Sequence, residues 1–239
     1  MSVLFISGID TDIGKTYATG IIAKALMQQG INVITQKLVQ TGVSVNYDTG
    51  KMNIADDIVT HRQLMGISLQ PCDFDFTTCL YRYEKPASPH LSAALANDVL
   101  GPEVITKSTQ QLQQSYDAVL LEGAGGLLVP LTEQLLTLDY IAEQGYPVVL
   151  VTSGRLGSIN HTLLSLEAIK ARGLTLHSVI YNHIHDSAAQ TDDEIANSTI
   201  DYLKNYLAQH YPNTYWLQMP QQTNSTIGND DFVLPLDFI

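Results

Sequence analysis

The sequence predicts a single-domain, three-layer α/β fold, with a mainly parallel central sheet covered by helices on both faces. Three observations predict it: short apolar runs alternate with amphipathic helical patterns, several of those runs are apolar at every position, and polar or glycine-rich residues gather where the runs end. No Pro/Gly/Ser-rich linker, low-complexity tract or internal repeat divides the 239 residues, so residues 1–239 are expected to share one core.

The first run, Val3 to Ser7, is a short strand of the buried type. It leads into Gly8-Ile9-Asp10-Thr11-Asp12-Ile13-Gly14-Lys15-Thr16, which has the spacing G-x-x-x-x-G-K-T. From Thr16 to Gln29 the pattern is helical, with Ala18, Ile21, Ile22, Ala25 and Leu26 on one face and Gly30 at its end. Strand, glycine-bounded loop and helix together make a phosphate-binding loop, and hence a P-loop NTPase fold. Its glycines let backbone N–H groups turn inward on the phosphates, while the lysine reaches the β/γ oxygens and the threonine hydroxyl meets Mg²⁺. Gly8, Asp12, Ile13, Gly14, Lys15, Thr16 and Tyr17 are accordingly the expected nucleotide-binding stretch.

Asn32 to Leu38 reads as the second strand, and helical patterns follow at Ile54 to Met65 and Pro102 to Gln114. Ala118 to Leu121 and Val148 to Val151 are nearly continuous apolar strands. Ser158 to Ala171 is a helix closed by Gly173, Ser178 to Tyr181 a further strand, and Asp193 to Ala208 a long late helix.

Composition excludes several classes. A net charge of −12, with only 12 Lys and Arg scattered along the chain, repels a nucleic-acid backbone. The start of the chain has no basic n-region or cleavage site, and nowhere do 18 apolar residues run together, so a cytoplasmic protein without membrane association is expected. Cys72 and Cys79 make no C-x-x-C pair and have no matching His spacing, which signals neither a disulfide framework nor zinc.

Ligands of parallel sheets gather at the carboxyl ends of the strands. There the second strand ends in Lys37, followed by Thr41-Gly42; the strand from Ala118 ends in Glu122, followed by Gly123-Ala124-Gly125-Gly126; and the strand from Val148 ends in Thr152-Ser153-Gly154. Glu122 closes a buried strand as the Mg²⁺-side acid of P-loop enzymes does. Mg²⁺ takes one or two carboxylates beside phosphate oxygens and water, so one of Asp10, Asp12, Asp56 or Asp57 joining Thr16 and Glu122 suffices. Lys37, by position alone, is as readily a solvated strand-end lysine.

Five motifs in order resemble dethiobiotin synthetase: G-I-D-T-D-I-G-K-T from Gly8, Q-K-L-V-Q-T-G from Gln36, A-S-P-H from Ala87, L-E-G-A-G-G from Leu121 and G-R-L-G-S-I-N-H from Gly154. The resemblance spans about residues 3 to 185. It implies a cyclo-ligase dependent on ATP and Mg²⁺ that converts 7,8-diaminononanoate and CO₂ into dethiobiotin, as a homodimer. Carried over, it makes Thr16, Asp56 and Glu122 the Mg²⁺ site, Asp56 being preferred to Asp57 because it stands six residues before Arg62. It places Lys15 and Lys37 beside the transferring phosphoryl group, with Thr11 and Thr41 on the bound carbamate. Thr11, Lys15 and Lys37 are thus its catalytic set. It matches Asn182 to the asparagine that contacts the base. Gly157, Ser158 and Asn160, at a helix start, would receive the substrate carboxylate across the dimer interface.

This chain departs from the family pattern at Ile9, Asp12 and Leu38, where many members read Thr, Glu and Pro, and its first late-helix tyrosine, Tyr202, stands too far along to reach the substrate carboxylate. Rival readings fit less well. A ParA-like or MinD-like ATPase switch needs a signature lysine where Asp10 stands; a guanine site needs N-K-x-D where the chain reads Asn182-His-Ile-His; and a cobyrinate amidase-type enzyme needs a further glutaminase domain. A diverged relative acting on another small diamine remains an alternative. His183 and His185 are read as surface-loop histidines, since no third metal ligand stands at fixed spacing.

Overall fold

A computed structural model describes residues 2–45, 50, 52–185, 192–220 and 232–239. Its elements run β1 (Ser2–Gly8), α1 (Lys15–Gln28), β2 (Val33–Lys37), β3 (Gln40–Thr41), α2 (Asp56–Met65), α3 (Pro71–Phe74), β4 (Arg82–Tyr83), α4 (Pro89–Leu95), α5 (Pro102–Gln113), β5 (Ala118–Gly126), α6 (Thr137–Gln144), β6 (Val148–Gly154), α7 (Ser158–Ala171), β7 (Leu176–His185), α8 (Asp193–His210) and β8 (Tyr215–Gln218). Six strands form one sheet in the order β2-β5-β1-β6-β7-β8, every neighbouring pair parallel. The short β3 and β4 pair separately.

Alternation along the strands creates two cores. Val3 and Phe5 of β1, Ile34 of β2, Val119 and Leu121 of β5 and Leu150 of β6 face α5, α6, α7 and α8, where Ile105, Leu112, Ile141, Leu166, Ile169 and Leu207 meet them. Their neighbours Leu4, Ile6, Val33, Leu120 and Val149 face the other way, onto Ala18, Ile21, Ile22 and Leu26 of α1 and the tail residues Phe232, Leu234 and Phe238. The expected three layers are therefore present. Among the described residues no helix is long and apolar enough to cross a membrane.

The predicted strands and helices occur, and the strands are longer except β2, which is one residue shorter at each end than the expected Asn32 to Leu38. β5 continues through Glu122 to Gly126 and β7 through His185, because ladder bonding persists after the apolar run ends. His183 consequently lies on a strand, packed edge-on against Tyr181 with ring centroids 5.1 Å apart, and is not a loop histidine. The His185 side chain lies outside the described residues.

Parity also places the site. Val33, Thr35 and Lys37 of β2 share the face of Ala118, Leu120 and Glu122 of β5, the face covered by α1 and α2. Lys37 and Glu122 are register partners, side by side at the carboxyl end of the sheet.

Candidate active site

The loop between β1 and α1 is shaped by two left-handed residues. Gly14 sits at φ +94°, and a β-carbon there would overlap the Asn182 side-chain amide, so glycine is required for conformation and for space. Asp12 sits at φ 55°, a region that a short polar side chain tolerates better than a long one. The departure from Glu at this position therefore suits the backbone. Asn182, in the carboxyl-terminal half of β7, donates from Nδ2 to the Ile13 carbonyl at 2.9 Å, tying the loop to the sheet. Arg155, which the sequence reading passed over, donates to the Asp12 carbonyl at 2.9 Å from the β6–α7 turn.

The two lysines meet at the loop mouth. Lys15 Nζ donates to the Asp10 carbonyl at 2.9 Å. Its pKa is lowered to about 8, by burial first and by the Lys37 charge second. Lys37 Nζ uses all three protons, on Glu122 Oε1 at 2.8 Å, the Gly123 carbonyl at 3.1 Å and Asp57 Oδ2 at 2.5 Å. Burial alone would lower its pKa, but the Glu122 and Asp57 carboxylates more than reverse this and raise it. Burial likewise opposes the Glu122 carboxylate, and Lys37 and His61 outweigh it, holding that group well below the usual carboxylate range.

Glu122 is fully buried and joins three elements. Its Oε1 accepts from the Thr16 hydroxyl of α1 at 3.0 Å as well as from Lys37, and its Oε2 bonds His61 Nε2 of α2 at 2.7 Å. Asp57 enters this cluster through Lys37. Asp56, on the same first turn of α2, is exposed, and its carboxylate makes no hydrogen bond or ion pair among the described residues. The two adjacent aspartates therefore have different surroundings, one engaged with a buried ammonium and one open to solvent.

Thr11 is exposed at the loop tip, beside the Gly125 backbone at the end of β5, and Thr41 is half-buried in β3. Tyr17 is half-buried against the α1-side core. Ile9, Asp10, Thr11, residues 126–130 of the β5 end, and His161, Leu164 and Ser165 of α7 line a cleft of 440 Å³. α7 starts at Gly157, φ +90°. Gly157 and Asn160 are exposed there, but Ser158 is turned inward, its hydroxyl 3.0 Å from Ser153 Oγ and its N–H donating to the Arg155 carbonyl. The Ser158 hydroxyl is thus engaged with β6 in this structure.

The donors at the loop mouth are hard oxygens. Among the described residues no three His, Cys, Asp or Glu side chains converge as an all-protein metal cage requires. The Thr16 hydroxyl and the buried Glu122 carboxylate that it meets match instead the few protein ligands Mg²⁺ takes when it binds with phosphates, so these residues fit that ion.

A family model described as an AAA domain matches residues 2–207. The chain is 50% identical over 220 residues to the ATP-dependent dethiobiotin synthetase BioD 2 of Haemophilus ducreyi, covering 92% of this chain and 99% of that protein. It is 49% identical over 197 residues to the ATP-dependent dethiobiotin synthetase BioD of Chlorobaculum tepidum, covering 82% and 77%. Among solved structures, a ParA family ATPase from Chlorobium tepidum superposes with a TM-score of 0.51 at 14% identity, over 92% of this chain and 85% of that one. The signal recognition particle receptor FtsY from Elizabethkingia anophelis gives 0.52 at 14% identity, over 99% and 63%. Both likenesses concern the fold alone.

Proposed function

The chain belongs to the ATP-dependent dethiobiotin synthetase family, and from that premise we propose how its residues divide the work of closing a ureido ring on 7,8-diaminononanoate. One diamine nitrogen adds to CO₂ and loses a proton to give a carbamate. A carbamate oxygen attacks the γ-phosphorus of ATP, the bond to the β-phosphate oxygen breaks, and ADP leaves. The second amine attacks the carbonyl carbon of the resulting carbamic-phosphoric anhydride, and phosphate leaves with the ring closed. No covalent bond to the protein is needed, so the protein's task is positioning and charge.

Lys15 and Lys37 exchange their present acceptors for phosphoryl and carbamate oxygens and neutralise the charge that moves between them. Thr11 and Thr41 hydrogen-bond the carbamate. The loop from Gly8 through Asp12, Ile13, Gly14 and Thr16 to Tyr17 binds the nucleotide phosphates, and Asn182, held by the Ile13 carbonyl, meets the base. Thr16, Glu122 and Asp56 would hold Mg²⁺, which would supply positive charge to the phosphate oxygens. Asp57, already paired with Lys37, keeps that ammonium in place. Gly157 and Asn160 receive the substrate carboxylate across a homodimer interface, with the 440 Å³ cleft taking the hydrocarbon chain.

The reading extends to the whole chain as one ligase domain, acting in the cytoplasm without nucleic-acid partners. The net charge of −12 and the free thiols of Cys72 and Cys79 support this. The single observation that carries the catalytic assignment is the buried Lys37–Glu122 pair set beside the phosphate loop. The test is incubation with 7,8-diaminononanoate, bicarbonate, Mg²⁺ and ATP, with dethiobiotin read by mass. ATP turnover driven only by a different diamine would assign the chain to a diverged relative.

A further inference from the structure

We propose that His61 is a positioning residue that fixes the orientation of the Glu122 carboxylate, so that one oxygen is kept for the metal and phosphoryl side. Glu122 Oε1 is shared by Thr16 and Lys37, while Oε2 meets His61 Nε2 at 2.7 Å, both side chains fully buried. Without that donor, Oε2 would be buried and unpaired, and the carboxylate would be held through Oε1 alone.

A histidine merely filling space needs no aligned partners, and His61 has them on both ring nitrogens. Thr35 Oγ1 accepts from Arg62 Nη1 at 2.7 Å and lies 3.0 Å from His61 Nδ1. An ionised carboxylate only accepts, so His61 Nε2 carries the ring proton that faces Glu122, and Thr35, whose oxygen already accepts from Arg62, has its hydroxyl proton free to meet Nδ1. Arg62 is itself held by both Asp73 oxygens, at 2.9 and 2.7 Å, and Asp73 accepts in turn from the Thr78 hydroxyl at 2.8 Å. The chain Asp73–Arg62–Thr35–His61–Glu122 thus runs from α3 through α2 and β2 to the middle of β5 without an unpaired member. Outer partners of this kind orient the ligands that touch a metal, and losing one costs about 10- to 100-fold in metal affinity or activity.

The inference rests on the reading that Glu122 helps hold Mg²⁺, and the experiment separates the two. His61→Leu keeps the volume and removes the donor; His61→Gln keeps a donor at the Nε2 position. His61→Leu is expected to raise the Mg²⁺ concentration for half-maximal activity by about tenfold or more and to lower kcat, with KM for the diamine unchanged. His61→Gln is expected to restore both. ADP affinity in the presence of a chelator should match wild type in each variant. In metal-free protein labelled with ¹⁵N-histidine, a protected imidazole Nε2–H should be present besides the one that His177 donates to the Phe238 carbonyl, and it should disappear in His61→Gln. A normal Mg²⁺ requirement in His61→Leu, even with a lowered melting temperature, overturns the proposal, as does a His61 ring protonated on Nδ1 alone. A normal requirement in Glu122→Gln instead overturns the metal reading beneath it. Should His61→Leu fail to fold, the His61→Gln requirement and the wild-type N–H resonance decide.

Discussion

Burial and the neighbouring Lys37 charge bring Lys15 down to about 8, so in the unliganded protein the charge that the phosphates need is lost at mildly alkaline pH. Bound phosphate favours the ammonium form, so ADP affinity is expected to be full below pH 8 and to fall as pH rises through it, with proton uptake on binding. Calorimetry in buffers of different ionisation heat checks this; a pH-independent affinity would remove Lys15 from the phosphates. Folding stability should move the other way. Between about 8 and 10.5 the unfolded chain binds more protons at this lysine than the folded one, so the Lys15 contribution to stability increases with pH across that window. Lys37 differs, because its carboxylate partners keep it charged throughout. Lys37→Gln should suppress dethiobiotin formation by roughly 10²-fold or more through lost transition-state stabilisation, while ADP affinity changes far less. Paired product and binding measurements check it, and ring closure at the normal rate would reduce Lys37 to a structural partner of Glu122. The sequence marked both lysines and Glu122 because motif spacing and strand ends mark them. It did not mark His61 or Arg155, whose roles depend on which carboxylate or carbonyl the fold brings opposite them, and no local pattern encodes that.

α2 carries the most consequential ambiguity. Asp56 and Asp57 are adjacent on its first turn, and consecutive helical positions point about 100° apart, so only one can face Lys37. That one is Asp57. Asp56→Asn is therefore expected to raise the Mg²⁺ requirement with kcat at saturating metal largely kept. Asp57→Asn should lower kcat and leave the requirement near wild type. A Mg²⁺ titration of both variants checks the split, and the reverse pattern would assign Asp57 to the metal. Elements with strong periodicity were legible in advance: α1, α5, α7, α8 and the buried strands all stand where apolar spacing puts them. α3 and α4 escaped because helices of 4 and 7 residues are too short to display a 3.6-residue repeat. β8 escaped because Tyr215–Gln218 is an edge strand of four partly exposed residues, ordered by pairing with β7 rather than by its own pattern.

The molecule as a whole leaves large apolar side chains at the open side of the cleft. Leu128 and Leu164 line it at 54% and 61% exposure, and Leu156, 95% exposed, precedes the α7 start to which the substrate carboxylate is assigned. A homodimer that covers these residues would bury apolar surface, each side chain being worth on the order of 1.5–3 kcal/mol, and would bring one protomer's α7 start toward its partner's phosphate loop. Leu164→Glu places a charge in that contact without touching the phosphate loop or the Lys37–Glu122 pair, and because Leu164 also lines the cleft, its KM is read against Leu164→Ala, which trims the cleft wall without a charge. The variant is expected to sediment near the 26.2 kDa of one chain, and the wild type near twice that. An anion at a helix start is worth up to about 2 kcal/mol, so losing the partner's α7 should raise KM for the diamine several-fold to about thirtyfold, while ADP affinity stays unchanged. A monomeric variant with an unaltered KM would show that each protomer holds the substrate carboxylate by itself, and a monomeric wild type would remove the interface from the mechanism altogether.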